Sequence, residues 1–80
     1  MEKQEILSQV QVIFRDVLDN EEIVLTNEST ANDIEEWDSL SHIQLIVAIE
    51  KHFGIKFTSY EIMKWKNVGE MIVSIEEKKA

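Results

Sequence analysis

Three polar side chains sit close enough in this sequence to suggest chemistry: Asp38, Ser39 and His42. His42 follows Ser39 by three residues, a spacing that invites a nucleophile-and-base reading. Such a pair also needs an orienting acid, an oxyanion hole and a pocket. The chain contains no Gly-x-Ser-x-Gly or comparable elbow. His42 therefore reads as a packed histidine with a satisfied ring nitrogen. Ser39 reads as an exposed hydroxyl at a helix start, where unpaired backbone N–H groups tolerate an attached phosphate. Serine is also common at helix starts for structural reasons alone. Asp38-Ser39-Leu40 by itself is a weak signal.

The element that must position Ser39 is a helix running from Ser39 to Phe53. Asp38 is its N-cap, offering a carboxylate to the first-turn N–H groups. Gly54 is a natural residue for the left-handed position after its last turn. At 100° per residue, Leu45, Ile46, Ile49 and Phe53 share one face, with His42 in their middle. That face is expected to enter the core. Leu40, Ile43 and Val47 form a second apolar stripe, with Ile43 between the two faces. A surface helix normally needs one apolar face. The helix is therefore more deeply buried than its neighbours, or the second stripe docks partners or lines a small cargo cavity.

The remaining elements supply a frame for this helix. Ile6, Val10, Ile13 and Val17, widened by Leu7, Phe14 and Leu18, predict a first amphipathic helix over about Glu2 to Leu18. Residues 19–38 lose the period and are rich in turn formers, with Ile23, Leu25, Ile34 and Trp37 as scattered apolar anchors. They predict a long ordered loop, a feature that often marks function. Thr58 and Glu61 fit a capping box opening a short helix to about Lys64. Asn67 with Glu70 repeats the pattern before a last helix carrying Val68, Met71, Ile72 and Ile75. Trp65, Phe57 and Tyr60 are expected in the core or at its edge. The fold class is all-α: a small antiparallel four-helix bundle, three helices longer and one short.

Length and charge narrow the function. Eighty residues make one domain, 1–80, whose core is too modest for a deep enzyme cleft. There is no cysteine, so no disulfide and no thiolate zinc site. No apolar run approaches the roughly 20 residues of a membrane span. Met1-Glu2-Lys3-Gln4-Glu5 lacks the basic and apolar regions of a signal peptide, and a cytoplasmic monomer is expected. The net charge of −8 repels nucleic acid and anionic membrane and attracts basic protein surfaces. Nine acids and no Lys or Arg occupy Asp16 to Asp38, a block that ends beside Ser39. These acids lack the spaced ligands and glycine of an EF-hand loop, and no dedicated metal site is expected.

The context of Trp37-Asp38-Ser39-Leu40 is far more specific than the tripeptide. It follows a first helix and a long acidic loop. It opens an apolar helix ending in Phe53-Gly54-Ile55, with a short capped helix and a last helix behind. On these features the whole chain resembles the acyl carrier protein superfamily, most specifically from Asp33 to Val73. Asp33 to Ile46 is similar to a stand-alone subgroup with a Trp-Asp-Ser-Leu signature, associated with specialised metabolism or surface polysaccharide pathways. The resemblance implies that a phosphopantetheinyl transferase moves 4′-phosphopantetheine from coenzyme A onto Ser39. It implies a carrier, not an enzyme, loaded with acyl or aminoacyl groups by a ligase and serving downstream acyl-transferring enzymes. Asp38 would take part in recognition or in Mg²⁺ handling during arm transfer. Leu40, Ile43 and Val47 would meet partners, with Glu35, Glu36 and Trp37 beside them. Trp37 would pin the loop to the bundle or contact the arm.

The sequence also departs from the fatty-acid carrier pattern. Early positions of the Ser39 helix are Ser41, His42 and Gln44, and Lys51 follows Glu50, so the usual acidic face is thin. Glu35-Glu36-Trp37 replaces the usual glycine-containing approach to the serine. Both point to a dedicated pathway. The competing reading is an unmodified helical module that binds a partner through the Leu40/Ile43/Val47 stripe.

Overall fold

The apolar periods become four helices: α1 (Lys3–Val17), α2 (Ser39–Phe53), α3 (Ser59–Lys64) and α4 (Val68–Lys79). They are seen in a computed structural model that describes residues 2–79, with no strand among them. Packing runs α1 against α2, α1 against α4, and α3 against α4. The core interleaves Ile6, Val10 and Phe14 of α1 with Leu45, Ile49 and Phe53 of α2 and with Val68, Met71, Ile72 and Ile75 of α4. The α1 and α2 sets recur at steps of four, and in α4 Met71 and Ile72 each lie three or four residues from Val68 and Ile75, the spacing that keeps a helical stripe on one side.

Helix ends follow local chemistry. α1 closes on Asp19, whose φ of 52° is left-handed, with Asn20 N–H donating to Arg15 O at 3.0 Å. α2 closes in the same way on Gly54, φ 67°, with Ile55 N–H donating to Glu50 O at 3.1 Å. Both are six-residue closures that satisfy a carbonyl of the last turn. α3 starts in the expected Thr58/Glu61 box. Ahead of α4, Asn67 Oδ1 accepts from Glu70 N–H at 3.0 Å, while the Glu70 carboxylate accepts from Lys66 N–H at 2.8 Å.

The connection between α1 and α2 is ordered without being helical. Ile23, Leu25, Ile34 and Trp37 are all buried in the core cluster. Arg15 Nε donates to Ile23 O at 2.7 Å, and Leu25 N–H donates to Gln11 Oε1 at 2.9 Å. At its far side the loop caps α4. Val68 N–H donates to Ser29 O at 2.9 Å, and Gly69 N–H donates to Asn27 O at 2.8 Å. First-turn N–H groups have no helical partner, so loop carbonyls complete α4 while α4 fixes the loop.

Phe57 and Trp65 pack edge to face at 4.8 Å, against the core, as expected. Tyr60 does not. It is 71% exposed, because six-residue α3 buries none of its own residues, and the ring lies 5.5 Å from Lys64 Nζ instead.

The loop–α4 clamp requires Gly69. A Cβ there would stand 2.8 Å from Asn27 O and 3.2 Å from Asn27 Cβ. Gly→Ala in an unobstructed helix stabilises by roughly 0.5–1 kcal/mol. At this site the clash reverses the sign, and Gly69→Ala should destabilise by about 1–2 kcal/mol, as overpacking does. Urea unfolding checks this; a stabilised variant would show that the clamp yields freely.

Candidate functional site

Ser39 is placed by the residues on either side of it. Asp38 is the extended N-cap of α2, and its Oδ1 accepts from Ser41 N–H at 2.9 Å. In return Asp38 N–H donates to Ser41 Oγ at 2.8 Å. The Ser41 hydroxyl donates onward to Glu36 O at 2.9 Å and is buried. Asp38 and Ser41 thus close a reciprocal capping box that makes no use of the Ser39 hydroxyl. Ser39, the first residue of the helix, is exposed. The Ser41 backbone N–H holds the Asp38 carboxyl below its ordinary pKa.

Trp37 anchors the incoming chain. It is only 8% exposed, which fits the expected pin between loop and bundle and corrects its placement beside Glu35 and Glu36 as a partner-facing residue. Its ring meets Phe14 edge to face at 4.9 Å and stacks near His42 at 5.9 Å. Its Nε1–H donates to His42 Nδ1 at 3.0 Å. An indole N–H can only donate, so Nδ1 carries a lone pair and the ring proton sits on Nε2. This is the packed histidine with a satisfied nitrogen read from the sequence. Glu35 and Glu36 remain exposed, and the Glu36 carboxylate accepts from Asn20 Nδ2 at 3.0 Å.

α2 does have two apolar faces, and only one is buried. Leu45, Ile46, Ile49 and Phe53 lie in the interior. Leu40 is 68%, Ile43 61% and Val47 44% exposed. Deeper burial of the whole helix is thereby ruled out, and Ile43 serves the outer face alone.

Beside Ser39 an open groove of about 400 Å³ runs from the α2 start toward the α3–α4 junction. Its walls include Trp37, Ser39, His42, Trp65, Lys66 and Met71. Neither the groove nor its far wall was legible in the sequence, because residues 65–71 reach Ser39 only through the tertiary fold. Ser41 was missed for another reason: serine replaces the usual Glu or Gln as third residue of the capping box. An exposed hydroxyl at a capped helix start, opening onto a groove, suits a flexible group tethered through a phosphodiester. Among the described residues no group of His, Asp and Glu is placed to hold a metal ion, and no helix is long and apolar enough to cross a membrane.

Such a fold and site define a small carrier domain, and the comparisons agree. Residues 8–73 match the family described as phosphopantetheine attachment site. The acyl carrier protein of Thermosynechococcus vestitus is 36% identical over 81 aligned residues, covering 100% of this chain and 99% of that protein. That of Thermotoga maritima is 32% identical, covering 95% and 94%. The solution structure of a holo acyl carrier protein from Geobacter metallireducens has a TM-score of 0.86 and 50% identity, over 90% of this chain and 83% of that one. The chain belongs to the acyl carrier protein family. It is a carrier and not an enzyme, and the cofactor of its family is a covalently held phosphopantetheine.

The Trp37–His42 bond gives the site a pH dependence. Burial lowers the pKa of His42 from the ordinary value of 6.5, so the folded protein resists a proton that the unfolded chain accepts. Stability from this source is complete above about pH 6.5 and is lost as pH falls through that value toward the lower folded pKa. Protonation of Nδ1 also removes the acceptor for Trp37. Urea midpoints should therefore fall between pH 7.5 and 5.5, and His42→Gln should flatten that slope. An unchanged slope in His42→Gln would place the dependence elsewhere.

Proposed function

We propose that Ser39 is the phosphopantetheine attachment site and that residues 1–80 work as one carrier domain for acyl or aminoacyl groups. The observation that carries this is the position of Ser39: exposed, first in α2, and left free by a cap built from Asp38 and Ser41. A phosphopantetheinyl transferase would bring coenzyme A to this hydroxyl. Ser39 Oγ then forms a P–O bond as the pyrophosphate P–O bond breaks. Adenosine bisphosphate leaves with the electron pair, and the hydroxyl proton passes to a base on the transferase. First-turn N–H groups and the α2 dipole favour the resulting phosphodiester by about 0.3–1 kcal/mol. The bound arm supplies a thiol, which holds the cargo as a thioester. The chain has no cysteine to compete with it.

Leu40, Ile43 and Val47 are the surface on which the transferase, the loading ligase and downstream enzymes would dock, with Glu35, Glu36 and Asp38 at its rim. The acidic block would speed encounter with basic partners. The cytoplasm, where coenzyme A and such enzymes meet, is the inferred location. α2 also supports a dedicated pathway, in polysaccharide or secondary metabolism, over primary fatty-acid synthesis. Its one acid is Glu50, and that carboxylate turns inward to accept from Phe57 N–H at 2.8 Å. The outer face therefore offers partners apolar contact with little charge.

The exposed stripe also fits an unmodified interaction module, and one assay separates the readings. With coenzyme A and a broad-range transferase, intact mass should show one phosphopantetheine adduct, abolished by Ser39→Ala. Val47→Asp should keep the adduct but slow its formation by at least about five-fold, the loss of an interface hot spot. No adduct with several transferases favours the unmodified module. An adduct that survives in Ser39→Ala moves the site.

A further inference from the structure

The sequence before the phosphodiester expected at Ser39 is acidic. Asp38 precedes it, and the preceding residues back to Asp16 contain no Lys or Arg. Lys66 lines the same groove as Ser39 and is the one cation among its lining residues. Lys66 is exposed, and its ammonium makes no ion pair among the described residues, whose two salt bridges join Lys3 to Glu76 and Lys78 to Glu61. The nearby carboxylate of Glu70 is engaged by the Lys66 backbone N–H at 2.8 Å.

The walls between Ser39 and Lys66 suit the rest of the arm. The indole N–H groups of Trp37 and Trp65 already donate to His42 at 3.0 Å and to Ser74 Oγ at 2.8 Å. What the two rings offer the groove is apolar carbon, and Met71 adds more. A pantetheine chain has a branched dimethyl segment to cover such carbon. It also has amides, whose carbonyls can accept from Asn67 Nδ2 on the groove wall, since Asn67 Oδ1 is taken by Glu70 N–H.

We infer that Lys66 is a positioning residue for the arm: its ammonium pairs with the phosphodiester on Ser39 and lays the pantetheine chain in the Trp37–Trp65 groove. This rests on Ser39 as the attachment site. A docked arm keeps its thiol close to the α3–α4 junction until a partner draws it out. An exposed pair is weak, so docking is partial and salt-sensitive, which suits a group that must leave readily.

The test uses holo-protein whose single adduct at Ser39 has been verified by mass. In the wild type, dimethyl protons of the arm should show NOEs to the Trp65 and Trp37 rings. The thiol should react with a maleimide about two- to five-fold more slowly than in Lys66→Gln, on the scale of an exposed ion pair. The difference should fade at high salt as screening takes over, and Lys66→Arg should behave as wild type. The ³¹P resonance should move in Lys66→Gln and stay in Lys66→Arg. If the adduct forms and Lys66→Gln matches the wild type in NOEs, ³¹P shift and thiol rate, the role of Lys66 is overturned while Ser39 stands. If no adduct forms at Ser39, the attachment reading fails and this inference falls with it.

Discussion

The start of α2 is held by two hydrogen bonds that run in opposite directions between the same residues. Ser41 N–H reaches the Asp38 carboxylate, and Asp38 N–H reaches the Ser41 hydroxyl. The Ser41 hydroxyl then extends the bonding to Glu36 O. This fixes where the loop stops and the helix begins. It also decides what Ser39 can do. A serine that caps a helix has its oxygen occupied, whereas a serine just inside a cap made by others keeps its oxygen for solvent. The Ser39 hydroxyl is free because its neighbours do the structural work.

The cap would drift without a fixed loop behind it. Trp37, wedged on Phe14 and bonded to His42, ties the incoming chain to α1 and α2. Asn27 and Ser29 tie its middle to α4. Interior, loop and site are thus one system, and the clamp at Gly69 and the ring of His42 both bear on where Ser39 sits. The surface around this system is polarised. Twelve of the sixteen acids lie within residues 1–50, while six of the eight basic residues lie within residues 51–80. Lys66 brings one of those later charges to the groove beside Ser39.

Local chemistry was readable from the sequence. Asp38, Thr58 and Gly54 each announced a helix boundary through cap and turn preferences that depend on a few neighbouring residues. The inward face of α2 and the packed state of His42 followed from periodicity. The fate of the Leu40/Ile43/Val47 stripe did not, since an apolar stripe looks the same whether another helix covers it or water does. Tyr60 was misplaced for the related reason that a six-residue helix leaves most of its side chains outside. Trp37 was legible as an apolar anchor that pins the loop, and Phe14 and His42 give it a packed face and an acceptor, which leaves it no partner-facing role. The groove, the loop–α4 clamp and the placing of Lys66 and Ser39 on one groove are products of distant segments meeting, which no local pattern encodes.

The central claim is that the hydroxyl left free by the Asp38–Ser41 cap carries the arm. The most direct measurement is tandem mass spectrometry of the protein purified from its own cells. The account requires a peptide containing Ser39 that bears one phosphopantetheine, with or without a thioester-linked cargo. A native population that is wholly unmodified, or that is modified at another residue, would contradict it.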